Sequence, residues 1–171
     1  PVAVRQVPDA PQGALTAASV GQSLARHMQE GAIVSDDGVT SSLPIYLQTA
    51  AANPHDWLML TGGAIGQGLP AALGAAVAKP DAKVIALTGD GAGMYTLQAL
   101  WTMAREKLDV TTLVFVNHSY RILNIELMRT GAGNPGPAAH NLLTRGGPEL
   151  DWVSLAKGHG VAAEAVSTAA D

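Results

Sequence analysis

Cysteine is absent from the 171 residues, which excludes disulfides and thiolate metal sites alike and fits a reducing cytoplasm, the compartment expected here. Charge of one sign is absent as a block. The 14 acidic and 10 basic residues are scattered to a net charge of −4, leaving neither a nucleic-acid footprint nor a basic membrane patch. Long hydrophobic runs are missing too: no stretch of eighteen apolar residues occurs, and the Ala-rich segment 69–78 is far shorter than a membrane span. It reads as a buried helix. Neither nucleic acid nor membrane is therefore expected as a partner. An initial Met is also lacking, and no charged segment followed by an apolar one comes after Pro1, so the chain is expected to be an excised or processed piece. What is present is 47% apolar residues, enough for the core of one domain and too little for two.

Residues 1–15 carry Pro1, Pro8 and Pro11 with Gln6, Gln12 and Gly13, a composition of extended connectors. We assign 1–15 as a linker from a missing upstream region and 16–171 as a single domain, truncated at its C-terminus. From Thr16, a plausible N-cap, Val20, Leu24 and Met28 recur at helical spacing until Gly31. Short apolar strands are predicted at 32–34, ending in the turn Ser35-Asp36-Asp37-Gly38, and at 57–60, ending in Thr61-Gly62-Gly63. Asp36 and Asp37 read as solvated turn residues. A small-residue helix over 66–77, a strand over 83–88, a helical stripe from Leu97 to Leu108 and a strand over 111–116 follow. Beyond them come a short helix around Ile122 and Ile125, a loop over 131–147, a helix over 151–157 and a further strand over 161–166. Met94, Trp101 and Met103 suit core packing. Strands alternating with helices, each strand closing in a Gly, Asp or Asn turn, indicate a parallel α/β sheet with ligands at its carboxyl edge.

Gly89-Asp90-Gly91 directly follows one of these strands, and Asn117 directly follows the next, 27 positions later. A right-handed crossover sets the ends of successive parallel strands side by side, so Asp90 and Asn117 can face one site. A carboxylate with an amide oxygen is hard-oxygen ligation, suited to Mg²⁺ or Ca²⁺ that also takes phosphate oxygens. The glycines admit backbone N–H groups to the phosphates. Each motif alone also fits a tight turn or a helix cap. A dinucleotide loop is the functional rival, but G-x-G-x-x-G needs glycine where Met94 stands, and an acidic residue in the turn repels a bare pyrophosphate.

Gly89-Asp90-Gly91, twenty-five intervening residues and Asn117 resemble the thiamine-diphosphate (ThDP) signature of the 2-oxo acid decarboxylase and acetolactate synthase superfamily. The resemblance covers roughly Thr16 to Val166 and is closest to the diphosphate-binding (PP) domains of acetolactate synthase and benzoylformate decarboxylase. It implies a three-layer α/β/α fold with a mostly parallel sheet. It also implies Mg²⁺ held by the side chains of Asp90 and Asn117 and the backbone carbonyl of Ser119, with Gly89, Gly91, Ala92 and Tyr120 beside the cofactor. Thr61 to Pro70 resembles the loop against the cofactor rings: Gly63 would offer its carbonyl to the 4′-amino group, next to Ala64, and Ile65 would wedge under the cofactor to hold it bent, a proximity effect. Gly38, Val39 and Thr40 lie where the family contacts the diphosphate. His118 stands where the family commonly has a second Asn, and Arg121 where Gly is frequent. If the segment is extended, His118 points away from Asn117 and serves packing. His27, His55, His140 and His159 have no partner at metal-ligand spacing.

The resemblance further implies decarboxylation or carboligation of a 2-oxo acid, with the cofactor as electron sink. It places the glutamate that binds the pyrimidine nitrogen N1′ in an upstream pyrimidine (Pyr) domain of the same polypeptide or its dimer mate, and it implies a homodimer or homotetramer. This chain then contributes no catalytic residue and is expected to be inactive alone. The alternatives are a stand-alone ThDP- or nucleotide-binding regulatory module and a Rossmann-type NAD domain.

Overall fold

The computed structural model describes residues 4–132 and 136–169. The first three residues of the expected linker, positions 133–135 of the expected loop and the expected truncation at Asp171 lie outside them. Four strands, β1 (Ala32–Asp37), β2 (His55–Leu58), β3 (Val84–Gly89) and β4 (Val110–Phe115), form one sheet in the order β2-β1-β3-β4, all parallel. Helices α1 (Ala17–His27), α2 (Ser42–Thr49), α3 (Gly68–Ala78), α4 (Asp90–Gly93), α5 (Ala99–Arg105), α6 (Arg121–Arg129), α7 (Pro137–Leu143) and α8 (Trp152–Gly158) complete the described chain.

The two central strands bring buried apolar residues, Ala32 to Val34 and Val84 to Leu87, to both faces of the sheet, as expected of parallel strands covered on both sides. Alternation along them splits the core. Ile33, Val84 and Ala86 join Leu69, Ala72 and Ala76 of α3, Leu100 and Met103 of α5, and Ala156 of α8. Val34, Ile85 and Leu87 join Met28 and Ile45 on the opposite side, beside α1 and α2. Helices therefore cover both faces, and the architecture is three-layer α/β/α. The chain leaves β1 towards β2 on one side and resumes with β3 on the other side of β1, so the order reverses between β1 and β3. Ligands of open α/β sheets bind at the carboxyl end of such a reversal.

Local chemistry explains the element ends. Thr16 Oγ1 accepts from Ser19 N at 3.0 Å while Ser19 Oγ accepts from Thr16 N at 2.8 Å, a reciprocal box that starts α1 with Ser in place of the usual Glu or Gln. Asp151 starts α8 with a one-sided cap, its carboxylate accepting from both Ser154 N and Ser154 Oγ.

Several expectations are corrected. β1 continues through Asp36 and Asp37 instead of turning at Ser35, because both carboxylates find buried donors. β2 lies two residues earlier than predicted, over His55–Leu58. The expected loop 131–147 contains α7, whose Pro137 stands in its first turn. No strand forms over 161–166; instead Thr168 bridges antiparallel to Ala14, and Ala169 N donates to Gly13 O at 2.9 Å. Met103 is buried, but Met94 and Trp101 are exposed, and Trp101 carries the Arg105 guanidinium over its ring.

Candidate functional site

Two acidic residues close β1. Asp36 Oδ1 accepts from Gly38 N at 3.0 Å and from Ser42 Oγ at 2.6 Å, and its Oδ2 accepts from Trp57 Nε1 at 3.1 Å. Asp37 Oδ2 accepts from Gly66 N at 2.8 Å and from Gly68 N at 3.2 Å, while its Oδ1 is buried without a partner. Burial pushes the Asp37 carboxyl above its ordinary value despite those two bonds, with the Asp36 charge adding to the rise. These are not the solvated turn residues the sequence suggested. Asp36 fixes the turn carrying Gly38, Val39 and Thr40, and Asp37 fixes the loop carrying Gly63, Ala64 and Ile65.

Both loops are bent in unusual ways. Val39 has φ 51°, a left-handed conformation that is an outlier for a β-branched residue and marks stored strain. The turn over Val39–Ser41 packs beside β3 and α6. Gly66 has φ 94°, its carbonyl accepts from Thr96 Oγ1 at 2.8 Å, and a Cβ there would lie 2.7 Å from Tyr95 Cβ. Thr61 to Ala64 are exposed, Ile65 is half-buried, and the Gly63 carbonyl accepts from Ile65 N at 3.0 Å.

At the end of β3, Asp90 is 3% exposed. Its Oδ1 accepts from Gly91 N at 3.0 Å and its Oδ2 from His118 N at 2.9 Å, so the turn after β3 is tied to the turn after β4. Asn117 Oδ1 accepts from Ser119 N at 2.9 Å. His118 has φ 53°, a region where His and Asn are tolerated better than most residues, so the segment is not extended and the alternation expected for Asn117 and His118 does not apply. His118 contributes its backbone: N–H to Asp90, carbonyl to Arg145 N at 2.8 Å. Tyr120 N donates to Leu143 O, and Ser119 bridges Thr144, clipping the β4 turn to residues 143–145.

Arg145 was not singled out by the sequence. Its Nη2 donates to Asp90 Oδ1 in an ion pair and approaches the Ser119 carbonyl at 3.4 Å, while its guanidinium lies 4.7 Å from the centre of the Tyr120 ring. Gly91 makes this possible: a Cβ there would lie 2.6 Å from Tyr120 Cε1 and 3.2 Å from Arg145 Cζ. At Gly89, by contrast, a Cβ would meet nothing within 4 Å, so the side of that residue is open.

The donor set suits a divalent cation. Asp90 is tied directly to the turn that carries Asn117 and Ser119, which supplies an amide oxygen and a carbonyl, and a guanidinium already faces both Asp90 and Ser119. Among the described residues, no three His, Asp or Glu side chains gather at metal-binding distance. No described helix is long and apolar enough to cross a membrane.

Comparison with known proteins bears on this geometry. Residues 38–171 match the family described as thiamine pyrophosphate enzyme, C-terminal TPP binding domain. A Mycobacterium tuberculosis H37Rv protein, provisionally named acetolactate synthase large subunit IlvX, is 50% identical over 169 residues, 98% of this chain and 33% of its own length. Benzoylformate decarboxylase of Pseudomonas aeruginosa is 31% identical over 133 residues, 77% of this chain and 24% of its own length. Among solved structures, the thiamine diphosphate-dependent 4-hydroxybenzoylformate decarboxylase of Rhodococcus jostii RHA1 superposes with a TM-score of 0.79 at 28% identity, covering 100% of this chain and 31% of that one. The chain thus spans about a third or less of the proteins it resembles.

Proposed function

The chain belongs to the thiamine pyrophosphate enzyme family as its C-terminal TPP-binding domain, and from that premise we propose that it holds the diphosphate of ThDP through a divalent cation, Mg²⁺, at the carboxyl edge of β3 and β4. The observation that carries the proposal is the direct tie between the Asp90 carboxylate and the turn that bears Asn117 and Ser119, at a buried position already facing a cation. In this reading Asp90, Asn117 and the Ser119 carbonyl hold the ion. Gly89, Gly91, Ala92 and Tyr120 border the diphosphate, with Gly38, Val39 and Thr40 on the β1 side of the crevice. Gly63, Ala64 and Ile65 face the rings, in a loop whose position Asp37 and Thr96 set.

When bound, ThDP supplies the electron sink for cleaving the bond between a 2-oxo acid's carbonyl and carboxylate. The names of the relatives support a whole protein that decarboxylates or carboligates 2-oxo acids. Our reading adds, from the resemblance alone, a Pyr domain as its working partner, a homodimer or homotetramer as its assembly and the cytoplasm as its compartment. The residues here bind and orient; the proton-handling carboxylate is assigned to the Pyr domain.

The test is calorimetry of ThDP binding with Mg²⁺ to the whole protein and to Asp90→Asn, which keeps the side chain's shape and removes its charge. An affinity loss of at least about tenfold, roughly 1.4 kcal/mol, is expected, with a thermal melt showing that the variant folds. Unchanged affinity in a folded variant overturns the assignment of Asp90.

A further inference from the structure

We propose that Arg145 is a built-in competitor for the divalent-cation position at Asp90, so that metal enters only by displacing its side chain. The inference deepens the reading of Asp90 given above and rests on it.

The guanidinium stands where the cation would. A single nitrogen, Nη2, reaches both Asp90 Oδ1 and the Ser119 carbonyl, which are two of the three ligands assigned to the metal. The Asp90 and Arg145 side chains are 4% and 13% exposed, so solvent screens their attraction little. Arg145 and a divalent ion cannot share Asp90 Oδ1, because two cations at one carboxylate repel each other at close range. Exchange between them changes the net charge of the Asp90 position from zero to +1.

Arg145 is also poorly completed as a structural residue. Guanidinium carries five N–H donors, and buried donors in folded proteins are normally paired. Here Nε and Nη1 are both buried with no partner. An arginine placed only to neutralise Asp90 would have its remaining nitrogens satisfied by carbonyls; this one leaves Nε and Nη1 bare, and that weakens its hold against an incoming ion. Its backbone, in contrast, is fixed by the bond from Arg145 N to His118 O at 2.8 Å and by the neighbouring Ser119–Thr144 bridge. Displacement therefore needs only a swing of the side chain, after which the charge stays tethered beside the site.

The consequence is a metal affinity set lower than the oxygen ligands alone would give. It is tested on the whole protein without ThDP, by titrating Mn²⁺ and following the free-ion paramagnetic resonance signal. Arg145→Met keeps an unbranched chain on Tyr120 and removes the charge; Arg145→Lys retains the charge. The Met variant is expected to bind Mn²⁺ at least tenfold more tightly than the wild type, with the Lys variant closer to the wild type. Affinities within twofold of each other, or weaker binding in the Met variant, overturn the proposal, as does the absence of Mn²⁺ binding in both. Should the Met variant fail to fold, the wild type decides: saturating Mg²⁺ is expected to shift the Arg145 Nε–Hε resonance, and an unmoved resonance with Mg²⁺ bound overturns the proposal. Equal Mn²⁺ affinities with metal-dependent ThDP binding intact would remove this inference alone, whereas ThDP affinity indifferent to Asp90→Asn would remove the reading on which it rests.

Discussion

A carboxyl group at the buried end of a central strand needs donors for both oxygens if it is to stay ionised, and Asp37 has them for one. Gly66 and Gly68 serve Oδ2, while Oδ1 is bare, and burial outweighs the two bonds to raise its pKa. The sign of the pH effect follows. A folded-state pKa above the ordinary 3.8 means that the folded state favours the protonated form, so the contribution of Asp37 to stability is fully present below about pH 3.8 and is lost as the pH rises through the folded pKa. Against Asp37→Asn, which cannot ionise, the wild type is expected to lose stability steadily between about pH 4 and its raised pKa. Urea denaturation of both proteins at several pH values between 4 and 7 checks this; a pH-independent difference would show that the ionised form is as well held as the protonated one. Nothing in the sequence revealed this role. Two adjacent aspartates before a glycine look like a solvated turn, and only the return of the chain at 66–68 supplies the donors. Arg145 was hidden for the same reason: its partner lies 55 positions away, and a lone arginine before two glycines has no periodicity to flag it.

Among the elements, those with a clear apolar period or an unbroken apolar run were legible: α3, β3 and β4 lie within a residue or two of their predicted ends, and α1 starts at its predicted cap Thr16 but stops at His27, capped by Met28 three residues before the expected Gly31. So was the pairing of the Gly-Asp-Gly turn with the turn after β4, because strand-helix-strand connectivity dictates it. β2 was displaced, since an edge strand alternates in exposure and His55 and Asp56 carry no strand signal. α7 was missed because glycines and prolines around it mask about two turns of helix. Packing between elements was equally invisible, and Gly21 is the instance that can be tested. It sits on α1 where α2 crosses, and a Cβ there would lie 2.9 Å from Ile45 Cα and 2.8 Å from Gln48 Cβ. Helix propensity favours alanine by up to about 1 kcal/mol. Overpacking against a backbone atom typically costs about 1–3 kcal/mol and the helices must separate to relieve it. Gly21→Ala is therefore expected to destabilise the protein by about 1–2 kcal/mol in chemical denaturation, and a stabilised variant would mean that α1 and α2 slide apart freely.

At the scale of the whole molecule, the inventory of parts is uneven, and the unevenness makes the last prediction. In the proposed site the chain offers oxygen ligands at Asp90, Asn117 and Ser119 beyond β3 and β4 and two loops braced by Asp36 and Asp37 beyond β1. The resemblance to ThDP enzymes requires in addition a glutamate that handles the proton at N1′ of the aminopyrimidine. None of the five glutamates fits that task. Glu30, Glu149 and Glu164 are exposed; Glu106 caps the far end of α5 and pairs with Arg105; Glu126 pairs with Arg129 on the surface of α6 at 2.7 Å. Without a positioned carboxyl group, acid–base activation of a ring nitrogen has no donor or acceptor of suitable strength, a contribution typically of about 10²–10⁴ in rate. The Asp37 carboxyl does not replace it, because Gly66 and Gly68 hold one of its oxygens and the other is buried. The chain alone, given saturating ThDP and Mg²⁺, is therefore expected to bind cofactor weakly and to release no CO₂ from pyruvate or benzoylformate above the rate of the free cofactor. An intact ThDP-dependent benzoylformate decarboxylase serves as the positive control, and CO₂ release is followed over hours. Turnover above the free-cofactor background would mean that one of these five glutamates, or Asp37, reaches the pyrimidine, and that proton handling belongs to this domain and not to a Pyr domain.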